Sequence, residues 1–231
     1  LDWVIVRENT EGEYSGAGGR VHPKLPQEVG IDVSVFTRDG IERVMRYAFE
    51  LALTRPKKQL TLVTKSNAQR HGMVLWDEVF EKLKHDYPGI TTDRMLVDAI
   101  TTRMVLQPQS LDTIVATNLH ADILSDLAAA LSGSLGIGPT ANINPERTFP
   151  SMFEPIHGSA FDLVGKDLAN PLGAFWSCVM MLEHLQEKKG ASLLMSAIEE
   201  VCQEGRHLPK DLGGNSCTGE VTTAVCAALK K

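Results

Sequence analysis

The apolar residues fall in short blocks separated by polar turns, and the period of each block names an element. Leu1, Trp3, Val4, Ile5 and Val6 form a run with the character of a buried strand that opens at the first residue. Arg7 to Arg20 is too rich in glycine and charge to be core and reads as a polar loop. Val29 to Phe36 carries β-branched residues in a strand pattern and, with that loop, suits an extended arm or hairpin. Asp39 is expected to cap a helix reaching about Thr54, with Ile41, Val44, Met45, Ala48, Leu51 and Ala52 at helical spacing and Pro56 ending it.

Leu60 to Thr64 is a short apolar strand that delivers Lys65 at its carboxyl end. A helix follows with Trp76, Val79, Phe80 and Leu83 on one face. Met95-Leu96-Val97 and Thr113-Ile114-Val115-Ala116 are further strands, with a helix from Asp98 to about Leu106 between them. A helix runs from Asp122 to Leu131 and the Gly133 to Gly138 cluster ends it, which makes that cluster the candidate domain boundary. Beyond it the spacing predicts helices from about Leu172 to Lys189, stopped by Gly190, from Ser192 to Glu204, and from Thr218 to Lys230. Strands alternating with helices argue an α/β fold, as two lobes or one large domain.

Composition narrows the function classes. The 231 residues carry 23 Lys+Arg against 29 Asp+Glu, a net charge of −6, with 43% hydrophobic residues, so disorder is excluded and no basic face points to nucleic acid. No run approaches the roughly 18 apolar residues of a membrane span, and no signal-peptide pattern opens the chain, so a soluble, cytoplasmic protein without membrane partners is expected. Cys178, Cys202, Cys217 and Cys226 form no CxxC pair and are expected as buried free thiols.

The sharpest chemical signal is Asp122-Ile123-Leu124-Ser125-Asp126. Two carboxylates at i and i+4 stand about a turn apart on one helix face, which suits a divalent cation bound by hard oxygen ligands. Two solvated acids, or an N-cap at Asp122 with a surface Asp126, fit the same spacing. Asp98 is either a third oxygen ligand or a helix cap. Arg7, Tyr14 and Lys65 closely follow apolar strands, where α/β folds place ligand crevices. Arg7 suits a bidentate carboxylate contact, Lys65 a base, and Tyr14 a proton donor. Glu154 to Asp162 has glycine for close backbone approach and an acid to accept a ribose hydroxyl, although no G-x-G-x-x-G fingerprint exists anywhere.

Taken in order, Val6 to Tyr14, Thr64 to Asn67, Val97-Asp98-Ala99, Asn118 to Asp126, Phe153 to Asp162 and Leu168 to Pro171 resemble the motifs of the β-decarboxylating dehydrogenases. That family acts on isocitrate, 3-isopropylmalate, tartrate and D-malate, and the motifs look closest to its tartrate/D-malate branch. The resemblance implies an isocitrate/isopropylmalate dehydrogenase-like α/β fold, present in part. Residues 1–132 would be the central substrate, metal and dimerisation lobe, and residues 133–231 the C-terminal half of the nucleotide-binding lobe. It implies NAD-linked oxidation and decarboxylation of a 2-hydroxy acid with a β-carboxylate. Asp122, Asp126 and a neighbour's Asp98 would hold Mg²⁺ or Mn²⁺, and Arg7 would grip a substrate carboxylate. Lys65 and Tyr14 would move protons, with Lys65, like Asp98, serving the second subunit of a homodimer. His157, Gly158, Ser159, Ala160, Asp162 and Asn170 would hold the adenosine half of the nucleotide. His120-Ala121 departs from the aromatic and glycine that many members carry there. Members also carry a substantial segment before the position of Leu1, so a partial enzyme, an inactive remnant that keeps the dimer surface, and completion by a separate chain are the expected alternatives.

Overall fold

The computed structural model describes residues 1–230, and the chain divides into two compact units, Leu1–Leu127 and the segment from Ala128 onward. The first unit is built on four strands, β1 (Val4–Arg7), β4 (Gln59–Thr64), β5 (Thr91–Leu96) and β6 (Thr113–Ala116), in the order β1-β6-β4-β5. Every pairing is parallel, with Arg7 opposite Ala116 and Thr64 opposite Leu96. The carboxyl ends therefore share one edge, from which Arg7, Lys65, Asp98 and Asn118 emerge.

Two helices, α1 (Arg38–Thr54) and α2 (Gly72–Leu83), fill one face of this sheet, because their apolar stripes meet Leu60, Leu62 and Val115 in a single core. Trp76, Phe49 and Phe80 are fully buried there, and Phe49 stacks on Phe80 at 5.4 Å and on Tyr87 at 4.7 Å. Burial of each such side chain stabilises by about 1.5–3 kcal/mol. The cap of α1 is Thr37, not Asp39: Thr37 has extended backbone, and its hydroxyl accepts from Gly40 N at 3.0 Å. Asp39 lies inside the first turn, where its charge favours the helix dipole.

The expected arm or hairpin is a two-stranded antiparallel ribbon, β2 (Gly12–Val21) with β3 (Val29–Val35), and much of the segment read as polar loop, Arg7 to Arg20, is strand β2. Val29, Ile31, Val33 and Val35 recur at period two and are 41–49% exposed, so the ribbon has one apolar face open to solvent. Helices α3 (Val97–Leu106) and α4 (Asn118–Leu131) complete the unit's elements, and α4 continues into the second unit. Because α4 starts at Asn118, Asp122 stands in its second turn and is not an N-cap.

The second unit contains a short antiparallel pair, β7 (Pro139–Asn142) and β8 (Met152–Pro155), against which α5 (Leu172–His184) packs. The periodicity gave no sign of these strands, which are four residues long, one opening on Pro139 and the other closing on Pro155. With α6 (Lys188–Glu204) and α7 (Thr218–Ala228), α5 encloses a core of Leu172, Val179, Leu194, Ile198, Val201, Val221 and Val225. The expected stop at Gly190 is corrected, since Gly190 lies inside α6. The chain turns instead at Gln186, whose φ of 66° is left-handed, with Glu187 N donating back to Leu182 O at 2.8 Å. A second correction concerns the thiols. All four cysteines are free, but Cys202 and Cys226 are exposed and Cys178 and Cys217 half-buried. Among the described residues, no helix is long and apolar enough to cross a membrane.

Candidate functional site

At the carboxyl end of β1, Arg7 joins three residues that the sequence separates widely. Its Nη1 donates to Asp122 Oδ1 at 2.5 Å, while Nε and Nη2 donate to Asn118 Oδ1 at 3.0 and 2.7 Å. Tyr14, third in β2, donates its phenol to the other Asp122 oxygen at 3.2 Å, and its ring lies 5.7 Å from the guanidinium carbon. The negative Asp122 carboxylate, followed by partial desolvation, raises the Tyr14 pKa above the ordinary phenol value, so the phenol keeps its proton near neutral pH. A protonated phenol beside a guanidinium suits proton donation next to a bound anion.

Three carboxylates organise the turn between β1 and β2. Glu8 is 4% exposed and accepts from Thr10 N and Glu11 N, which fixes the turn itself. Glu11 reaches Thr37 at the start of α1, accepting from its N–H at 2.8 Å and its hydroxyl at 2.7 Å. Glu13 reaches the start of α4, accepting from Thr117 Oγ1 at 2.8 Å and Leu119 N at 3.2 Å. The sequence reading singled out neither Glu13 nor Asn118; the threonine-asparagine pair just before an apolar helix was the available signal for the latter.

Lys65 leaves β4 and forms an ion pair with Asp98, at the start of α3. The Lys65 ammonium lowers the Asp98 pKa below the usual carboxylate value, aided by the residue's own backbone N–H. Ser66, next in sequence, donates to Asp77 of α2 at 2.8 Å, and Arg94 donates to the same oxygen at 2.9 Å, which anchors the turn that carries Lys65. Buried His120, at 6% exposure, is held below its ordinary pKa, chiefly by desolvation.

Asp126 is exposed one turn beyond Asp122 on α4. Among the described residues no group of three His, Cys, Asp or Glu side chains converges, so Asp98, Asp122 and Asp126 do not form one cluster within a single chain. The donor set still fits a hard cation, because Asp122 and Asp126 offer carboxylate oxygens from successive turns. Further positions would fall to other oxygen donors.

In the second unit, His157 to Asp162 forms a solvent-facing loop. Gly158, Ser159, Ala160 and Asp162 are exposed, and His157 Nδ1 lies 3.0 Å from Gly158 O. Ala160 has a left-handed φ of 43°, which turns the chain into the 3₁₀ segment carrying Asp162. A side chain added at Gly158 would meet no atom within 4 Å, so the backbone there is open to a ligand. Asn170 stands just before Pro171, the N-cap of α5; its Oδ1 accepts from Leu172 N at 2.9 Å, and its amide donates to Asp211 at 2.9 Å. Asp211, which the sequence reading passed over, also accepts from Ser134, and the pair secures this edge of the loop region.

A parallel α/β sheet thus carries an arginine and a lysine at its strand ends, with Tyr14 of the ribbon and the aspartates of α3 and α4 beside them, the edge where such folds place their ligand crevices. Residues 1–227 match the isocitrate/isopropylmalate dehydrogenase family, and the chain belongs to that family. Among its relatives is a probable tartrate dehydrogenase/decarboxylase of Agrobacterium vitis, 66% identical over 229 residues, covering 99% of this chain and 64% of that protein. A D-malate dehydrogenase (decarboxylating) of Escherichia coli K12 is 49% identical, with 99% of this chain and 64% of that protein aligned. The crystal structure of isocitrate dehydrogenase from Methylococcus capsulatus superposes with a TM-score of 0.93 at 39% identity, covering 99% of this chain and 67% of that one. The chain thus spans about 64% of the length of these tartrate and D-malate relatives.

Proposed function

We propose that this chain carries the catalytic, metal and part of the nucleotide residues of an NAD-linked oxidative decarboxylase acting on a 2-hydroxy acid with a β-carboxylate, of the D-malate or tartrate type. The observation that carries this reading is the convergence of Arg7, Tyr14 and Asp122 at the sheet edge, in a chain whose relatives are named for those substrates. Arg7 would exchange its Asp122 contact for a substrate carboxylate, which its fork geometry matches. Lys65, as the neutral amine, would take up the substrate hydroxyl proton and relay it onward, and Tyr14 would protonate the carbon from which carbon dioxide has left. Asp122 and Asp126 would hold Mg²⁺ or Mn²⁺, with Asp98 contributed by a second copy. When bound, the cation supplies positive charge for the oxygen that loses its proton, and NAD supplies the hydride acceptor. Asp162, with His157, Gly158, Ser159, Ala160 and Asn170 around it, would bind the adenosine half and favour NAD, since its charge repels a 2′-phosphate.

A homodimer follows from the same reading. Lys65 and Asp98 pair with each other apart from the Arg7 cluster, and the apolar ribbon face of Val29, Ile31, Val33 and Val35 offers a surface for a second copy to cover. The test is NADH formation from D-malate, tartrate and 3-isopropylmalate with Mn²⁺, using this chain and a chimera in which it replaces the matching span of the E. coli D-malate enzyme. Turnover of D-malate or tartrate by the chimera, abolished by Asp126→Asn, is the expected result. A chimera silent on all three acids, or one indifferent to Asp126→Asn, overturns the reading.

A further inference from the structure

We propose that Glu13 is a positioning residue for this site, an inference that rests on the dehydrogenase reading: its carboxylate pins the first turn of α4 so that Asn118 and Asp122 meet Arg7 and Tyr14. The geometry is a two-point clamp. Glu13 Oε1 accepts from the Thr117 hydroxyl and Oε2 from the Leu119 N–H, so one carboxylate spans the residue before α4 and its second residue. Thr117 Oγ1 in turn accepts from His120 N at 3.4 Å, and Ala121 N donates to Thr117 O at 2.9 Å, which makes Thr117 the cap and Glu13 the support behind it. The negative charge also sits at the positive end of a 14-residue helix dipole.

What Glu13 holds is the site's own scaffold. Asn118 is the first residue of α4 and takes two bonds from Arg7, while Asp122 stands one turn further and takes one from Arg7 and one from Tyr14. Tyr14 follows Glu13 in β2, and both side chains reach α4, Glu13 at Leu119 and Tyr14 at Asp122. Glu13 and Tyr14 therefore grip successive turns of α4 from adjacent positions of one strand. That arrangement sets both the distance and the rotation of Asp122 relative to the phenol. Without the clamp, the Leu119 N–H and the Thr117 hydroxyl return to solvent and the helix start can fray, while the sheet core, to which Glu13 contributes nothing, stays intact.

Two variants separate geometry from charge. Glu13→Gln keeps an acceptor for Leu119 N–H and can donate its amide to the Thr117 hydroxyl; Glu13→Ala loses both. Hydrogen exchange of this chain, read on peptides covering residues 117–126 and 59–83, tests the clamp without any activity. The expected result is about tenfold faster exchange in the first peptide for Glu13→Ala, near-native exchange for Glu13→Gln, and no change in the second peptide for either. Unchanged exchange at 117–126, or equal acceleration in both peptides, overturns the proposal. In the active chimera, Glu13→Ala should raise the half-saturating Mn²⁺ concentration about tenfold and lower kcat, with KM for NAD constant and Glu13→Gln restoring most of the loss. A lower kcat at constant half-saturating Mn²⁺ is the signature of a smaller folded fraction and would likewise overturn it. If the chimera is inactive with Glu13 in place, the dehydrogenase reading fails, and the exchange result still decides whether Glu13 clamps α4.

Discussion

Asp112→Ala should lower the stability of the first unit by about 2 kcal/mol, and the estimate follows from three terms. Arg55 and Asp112 form an ion pair at 2.6 Å with side-chain exposures of 15% and 2%, so the pair is shielded from water. Removing the carboxylate forfeits a charge-assisted hydrogen bond, about 1.5–3 kcal/mol. Stranding a buried charge completely would raise the cost to about 3–5 kcal/mol, but Arg55 keeps bonds to Asp2 Oδ1 at 2.9 Å and Asp2 O at 2.8 Å. Asp112 Oδ2 is buried without a donor, and deleting it relieves about 1 kcal/mol. Urea unfolding followed by tryptophan fluorescence measures the result. Trp3 and Trp76 lie in the first unit and Trp176 in the second, so a Trp176→Phe background restricts the signal to the unit under test. With a slope of about 2 kcal/mol per M, the midpoint should fall by roughly 1 M. A shift below about 0.5 kcal/mol would refute the reasoning, because it would mean that water or Asp2 fully replaces the pair. The double variant Arg55→Met/Asp112→Leu should recover most of the loss, since it leaves no charge behind.

The exposed pair Arg20–Glu28, at 3.0 Å with 74% and 30% exposure, is the counterpart, and Glu28→Gln should change stability by less than about 0.5 kcal/mol in the same titration. His120 carries the pH dependence. Burial holds its pKa below the unfolded 6.5, so its contribution is complete above that value and is lost as pH falls toward the folded-state pKa. His120→Phe should therefore flatten the stability profile as pH falls below 6.5, and an unchanged slope in urea titrations there would refute the assignment. In the ribbon, a Cβ at Gly18 would lie 2.1 Å from the Ile31 carbonyl oxygen, so Gly18→Ala should force the strands apart. Sedimentation should show the proposed self-association weakened at least tenfold, and an unaltered dissociation constant would remove the ribbon from the proposed dimer surface.

The sequence exposed the parallel strands because each is a short apolar run that ends where chemistry begins, as Leu62-Val63-Thr64 ends at Lys65. It offered Arg7, Tyr14, Asp122 and Asp126 as candidates because their motifs are contiguous, and the fold joins the first three by hydrogen bonds. The remainder depended on contacts that no local pattern records. Gln186 adopts the left-handed turn that glycine usually marks, so the helix break appeared at the wrong residue. Glu13 and Asp211 carried no local signal, since their partners lie 104 and 77 residues away in the chain. The hairpin was legible in the β-branched residues from Val29 onward, but its glycine-rich strand read as loop, because an exposed strand needs no buried stripe.

The shared strand edge also separates what folds the protein from what the site does. Arg7, Lys65, Asp98 and Asn118 each hang from the end of a different strand, while Ile41, Met45, Phe49, Leu60, Leu62 and Trp76 form a core that none of them enters. Variation can therefore accumulate in the ligand-facing layer with little penalty to folding. A combinatorial library spread over the strand ends should keep most of its members folded, whereas one of equal size along Ile41 to Phe49 should lose most of them. The architecture is one on which new specificities can be selected in the laboratory without first rescuing the scaffold.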